Sequence, residues 1–434
     1  MAISAGASSV DYFAVGTGSG NTGTLAISGG TLSVGVALHV GDWGGTGTVN
    51  QTGGTVEVVP TCNVVGRCAS FNLGNQGGTG VYNISAGTLS LSSELNTLGR
   101  STGANAAGTG TLNISGTGTV SLQRIDGPTS LILGNRESGA SNNGTGTINQ
   151  TGGLLTIADG SHLYLSAYGN GRYDLTGGTL QVGGTGGLIG NFGGSGTYEF
   201  NLGGGTIQVV GSNLVTSVNA TLVSSTTSTL DTNGFNGTWS GALSGGGGLT
   251  KAGAGTLTLS GTNTFTGATL VSEGTLTAGS TGALSTSTAL TVDTGATFNL
   301  DAAQLIIGSL AGAGTVTTGT NALIVGVNNA DTTFSGTLTN TGVAWGSAAR
   351  GTFSKTGTGT LTLESATIAG GEAYVLGGTI AISSGTTAVD YFSVGTATTS
   401  GTPNTGSLAI SGGTLNVGVA LQLGDWVGNG TVNQ

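Results

Sequence analysis

Charge is what this sequence has least of. It holds 8 Lys and Arg and 18 Asp and Glu, 6% of 434 residues, with a formal net charge of −10. An ordinary soluble domain carries about 25%. The few cations are scattered, so no basic stripe exists and nucleic acid is excluded as a partner. Histidine occurs only at His39 and His162, and cysteine only at Cys62 and Cys68. With no further ligands beside them, neither a metal site nor a cofactor is expected. The apolar runs are far too short to cross a bilayer as helices, so this segment reads as not membrane-spanning. Its first residues, MAISAGASSV, lack the basic start and apolar stretch of a secretory signal. Helical periodicity is missing as well, because Gly or a Ser/Thr pair interrupts every candidate.

What is present is glycine, 90 residues of it, set between short alternating runs such as TLAIS, TVEVV and TLTLS. Alternation of apolar with small polar residues reads as half-buried strand. One phrase recurs: G-x-G, a strand, a Gly-rich corner, a second strand. It appears as GTGTVNQTGGTVEV (45–58), GTGVYNISAGTLSL (78–91) and GTGTINQTGGLLTI (144–157). The second glycine of the phrase falls at 23, 47, 80, 110, 146, 171 and 196. A constant coil of about 24 residues, with loops inserted at one corner, accounts for the unequal spacing. Third short runs such as VALHVGDW (36–43) and FNLGN (71–75) complete a three-faced rung of an all-β, parallel β-helix (β-solenoid). Leu25, Ile27, Leu32, Val34, Leu38 and Val40 are expected to point inward. Scarce charge follows from the same geometry. Stacked strands bring equivalent side chains within about 4.8 Å, where like charges repel and Ser, Thr and Asn can hydrogen-bond.

A second, longer repeat encloses the first. VDYFAVG (10–16) returns as VDYFSVG (389–395), and residues 21–51 return almost unchanged as 404–434. The chain opens and closes inside a strand pattern, so one period of a longer array, or a unit continued by a neighbour, is expected. The divisions expected are solenoid rungs over 1–210, irregular rungs or a joint over 211–245, solenoid again over 246–380, and over 381–434 a copy of 2–51.

Within the third division, GGLTKAGAGTLTLSGTNTFTGATLVSEGTL (247–276) and, more weakly, FSKTGTGTLTLESATIAGGEAYVLGGTI (353–380) share a K-x-G-x-G-T-L-T-L core, Lys251–Leu259 and Lys355–Leu363. This core resembles the autotransporter-associated β-strand repeat found in passenger regions of bacterial surface proteins. The resemblance covers some 60 residues. It implies a right-handed β-helix exported to the cell exterior or bacterial surface, and it carries no catalytic residue.

Candidate sites are few. Cys62 and Cys68, in PTCNVVGRCAS, suggest a local disulfide pinning the loop, with free thiols as the alternative. Asp42–Trp43 and Asp425–Trp426 hold one corner in both long copies. An exposed Trp beside an acid can stack on a sugar ring, or it can pack under a loop. His39 takes an outward strand position, and its counterpart is Gln422, which argues against an imidazole role. The acids fall singly along the rungs, without the facing pair that glycoside hydrolysis needs, so no enzyme is expected. Arg136–Glu137 reads as an exposed ion pair. The expected role is mechanical: an extracellular fibre or cell-surface stalk whose partner is itself, by end-to-end stacking or tandem repetition. The alternative is an adhesin passenger whose corner loops, among them 59–77, 92–107 and 123–143, bind carbohydrate or host matrix.

Overall fold

A computed structural model describes residues 1–59, 70–93, 95–102, 106–123, 129–137, 142–192, 196–340, 351–396, 404–424 and 428–434. Among these there is no helix. The strands pair in parallel, rung upon rung, and make a β-solenoid. They gather into two compact units, Met1–Asp231 and Thr232–Gln434. The division falls inside the 211–245 stretch expected to be irregular, where strands such as Leu214–Thr216 and Ala220–Leu222 are only three residues long.

The first unit has the expected three faces. On one, Thr22, Thr46, Thr79, Thr109, Thr145, Asn170 and Thr197 stand in register, with successive spacings of 24, 33, 30, 36, 25 and 27 residues. A second face aligns Thr31, Thr55, Thr88, Thr119 and Leu154. The third aligns Leu38, Phe71, Asn96 and Leu131. All six residues expected to point inward are 0–1% exposed.

Insertion occurs at two corners rather than one. The first-to-second corner stays short throughout, as from Gln51 to Thr55 and Gln150 to Leu154. Extra residues enter before the third face, ahead of Ser70–Asn75, and after it, between Leu95–Ser101 and Thr109–Ile114. The stretches 59–77, 92–107 and 123–143 are therefore not whole loops. Each contains a third-face strand, the last being Ser130–Arg136.

Glycine sets these corners by close approach. A Cβ on Gly80 would lie 2.0 Å from the Val40 carbonyl oxygen, and one on Gly41 would lie 2.0 Å from that of Thr79. Gly41 also sits at φ 69°, whereas the G-x-G glycine needs only the space. The column ends one rung early. Tyr198, not Gly196, stands opposite Gly171, and its hydroxyl accepts the Asn219 N–H at 3.0 Å.

Several buried polar side chains are paired between rungs. Gln51 and Gln150 point into the core and donate to carbonyl oxygens of Gly54 and Thr88, and of Gly153 and Thr179. The tyrosine of the following rung, Tyr82 or Tyr173, donates its hydroxyl back to the glutamine oxygen. On the outside Asn50, Asn83, Asn113 and Asn149 form an amide ladder with 2.7–2.8 Å bonds.

The second unit uses shorter rungs. Thr256, Thr275, Thr297 and Thr315 are in register at spacings of 19, 22 and 18 residues, below the 24 expected. Trp239, Phe265, Phe298, Phe353 and Phe392 fill its core. Its last rungs repeat the first unit's pairing residue for residue. Thr405 opposes Asn429 and Leu408 opposes Val432, as Thr22 opposes Thr46 and Leu25 opposes Val49. The register shift between Val10 and Tyr12 recurs between Val389 and Tyr391.

Candidate functional site

The first unit's third face places Ala14, His39, Asn72, Thr97, Ile132 and Tyr164 in one outward column. Around His39 these residues form a closed polar network. His39 Nδ1 lies 2.8 Å from Asp42 Oδ2, and the Tyr12 hydroxyl lies 3.1 Å from the same nitrogen. On the other side Asn72 Nδ2 donates to His39 Nε2 at 2.9 Å and to Ser70 Oγ at 3.2 Å, while Asn72 Oδ1 accepts from Thr97. A neutral imidazole that accepts at Nε2 carries its proton at Nδ1, so the ring donates to Asp42. The Tyr12 ring meets the imidazole edge to face, 5.2 Å between centroids. Burial, and then the Asp42 charge, hold the Tyr12 hydroxyl above its usual pKa.

Ser70, His39 and Asp42 have the composition of a hydrolytic triad, with Ser70 Oγ 3.5 Å from Nε2. The arrangement lacks the base, because the Asn72 amide occupies the Nε2 lone pair that would take the serine proton. In the second unit the matching bond is Tyr391 hydroxyl to Gln422 Oε1. A side chain with no titratable nitrogen fills the same place. What both copies retain is a tyrosine hydrogen-bonded to a polar side chain.

Asp42 and Trp43 separate in role. Asp42 is 2% exposed, turned inward onto His39 and accepting its neighbour's N–H at 2.9 Å, so it makes no surface contact of its own. Trp43 is 57% exposed. It sits at φ 51°, with Gly44 at φ 76° and a bond from the Gly45 N–H to the Asp42 carbonyl. These are features of a type I′ turn. One rung on, Gln76 at φ 50° and Gly77 at φ 80° make the same turn, closed by Gly78 onto Asn75. Asp425 and Trp426, like Cys62 and Cys68 with their expected disulfide, lie outside the described residues.

The remaining candidates resolve simply. His162 lies in the short strand His162–Tyr164. Its Nδ1 bonds the Gly186 carbonyl at 2.8 Å, and its ring begins a tilted run with Tyr164 and the exposed Phe192. Glu137 pairs across the rungs with Arg100, not with its sequence neighbour Arg136. Asp174 and Glu199 both face Arg172, at 2.7 and 2.9 Å, on open surface. Among the described residues no group of three or more His, Cys, Asp or Glu is arranged to hold a metal ion.

Sequence reading missed Tyr12, Ser70, Asn72 and Thr97. Tyr12 had a signal, since VDYF returns with Tyr391 in place; Asn72 and Thr97 had none, lying on separate rungs 25 residues apart. The lysines of the K-x-G-x-G-T-L-T-L core were a further omission. Lys251 and Lys355 are 0–1% exposed. Lys251 Nζ caps the carbonyls of Ala252, Gly253 and Glu273 at 2.9, 2.6 and 3.0 Å, and Lys355 Nζ caps that of Thr356 at 2.6 Å. Desolvation lowers the Lys355 pKa, and the Asp331 charge partly opposes this.

No curated protein and no solved structure matches the chain. Two stretches of the second unit, 249–278 and 353–389, match the passenger-associated-transport-repeat family. Both matched stretches include a buried, carbonyl-capping lysine and the TLTL strand that follows it. The chain is a parallel β-solenoid carrying two passenger-associated-transport repeats, similar in this to the passengers of bacterial autotransporters.

Proposed function

We propose that the chain is a mechanical element, a bacterial surface or secreted stalk or fibre, whose rungs continue onto further rungs of the same kind. One observation carries this reading: residues 404–434 rebuild the pairing of 21–51, bulge included, yet present different surroundings. Leu38 and Val40 are 0–1% exposed beneath Phe71 and Leu73. Their counterparts Leu421 and Leu423 are 47% and 51% exposed, with Val419 at 53%. An apolar sheet edge of this type is a template for another strand, and a rung built like Ser70–Asn75 fits it. That rung comes from a continuing array or from a second copy. A surface or secreted location follows from the passenger repeats. The triad-like cluster at His39 does not enter this reading, since the Asn72 amide occupies its Nε2.

The test is Leu421→Asp with Leu423→Asp, followed by light scattering and electron microscopy. Filaments or long oligomers from the unaltered protein, abolished by the double variant, support the stalk. Equal association by both proteins overturns it. A second reading, contact with surface or matrix carbohydrate, is favoured by the half-exposed indole of Trp43.

A further inference from the structure

We infer that the corner formed by Tyr12, His39 and Trp43 is a binding site for a neutral saccharide, with the rings of Trp43 and Tyr12 as its platforms. The inference rests on the carbohydrate reading above and is independent of the stalk. Its first support is that the fold does not need this tryptophan. Gln76 closes the equivalent turn at the same backbone angles, so an indole there contributes nothing to the turn. Positive φ is a strained setting for a bulky residue, and more than half of the side chain stays open to solvent. The Asp-Trp pair is nevertheless written twice in the chain, at 42–43 and 425–426.

The second support lies behind the turn, where Asp42, the neighbour of Trp43, bonds His39. Tyr12 is 52% exposed, and its position is fixed by the imidazole edge and by the His39–Asp42–Asn72–Thr97 chain behind it. Exposed aromatic faces beside a fixed phenolic hydroxyl suit the apolar face and hydroxyl rim of a pyranose ring. Replacement of His39 by Gln422 beneath a retained tyrosine keeps hydrogen bonding and discards acid–base chemistry, as binding without catalysis requires. The charges select the ligand's class. Asp42 is turned into its own network, and among the described residues no Lys or Arg is hydrogen-bonded into it. The chain's net charge of −10 opposes uronic acids.

The test is titration of the whole chain with neutral hexasaccharides of the cello-, chito-, laminari- and malto- series, read by calorimetry. Polygalacturonate serves as the acidic comparison. Trp43→Gln with Trp426→Gln is the variant of choice, because Gln76 shows that the turn accepts glutamine. Saturable binding of at least one neutral series is expected, weakened about tenfold or more in the double variant with an unchanged melting temperature. Binding of some series that survives the double variant leaves the carbohydrate reading standing and overturns this site. Failure of the unaltered protein to bind any neutral series overturns both.

Discussion

At the scale of single residues, the solenoid is decided by groups that other folds place with less constraint. Gly80 faces a carbonyl oxygen from which a Cβ would stand 2.0 Å away, and backbone atoms on both sides leave nothing to move. Gly80→Ala is therefore expected to destabilise the first unit by about 2–4 kcal/mol, read as a lower urea midpoint. Tyr82→Phe removes the donor to Gln51 Oε1 and leaves a buried acceptor unpaired. The expected loss is about 1–3 kcal/mol. Trp43→Gln should shift the same midpoint by less than about 0.5 kcal/mol; a larger loss would show the indole to be structural. The sequence made the first of these visible, since the G-x-G glycines recur at rung spacing. It hid the second. Gln51 and Tyr82 are 31 residues apart, and only the rung register shows that TVNQ followed by VYNIS is one hydrogen-bonded pair.

At the scale of strands and corners, alternation was legible and corner geometry was not. TLAIS, TLSV and VALHV give the inward residues directly, because period-two burial needs no tertiary knowledge. Which corner holds an insertion depends on the third strand, and these runs are short and mixed: SFNLGN contains one phenylalanine, one leucine and two asparagines. That weakness let whole spans be read as loops. The passenger-associated repeats show why a corner motif can outlast its address. Lys251–Leu259 carries the chain from the strand Gly248–Ala252 to Thr256–Leu259, whereas the second copy leaves Thr352–Lys355 for Thr360–Leu363. The two TLTL strands fall on different faces of the unit, so the motif specifies a turn capped by lysine, not a face. For Lys355 the folded pKa lies below the unfolded one. The unfolded chain then binds more protons in the window from the lowered value up to the free-lysine pKa of about 10.4, and stability rises with pH there. Lys355→Met should lose this rise. Melting curves of both proteins from neutral pH to about 10.4 measure it, and parallel curves would contradict the buried charge.

At the scale of the whole molecule, the repeat of 21–51 at 404–434 is the feature that sequence and structure share most fully. The letters return, and with them the pairing of Thr405–Ala409 with Asn429–Asn433 and the bulge before Tyr391. What changes is the cover over Leu421 and Leu423. Repeat proteins owe stability to interfaces between neighbouring rungs, and a rung built like Ser70–Asn75 would cover Leu421 and Leu423 as that strand covers Leu38 and Val40. The polar network at His39 belongs to this scale too, drawing its residues from four successive rungs. No local sequence pattern could have announced it. The measurement that bears most directly on the central claim is electron microscopy of the purified protein, with a search for an axial repeat of about 4.8 Å. Filaments with that repeat, lost on Leu421→Asp and Leu423→Asp substitution, are the expected result. Separate particles that never join, at any concentration at which the protein stays folded, would contradict it.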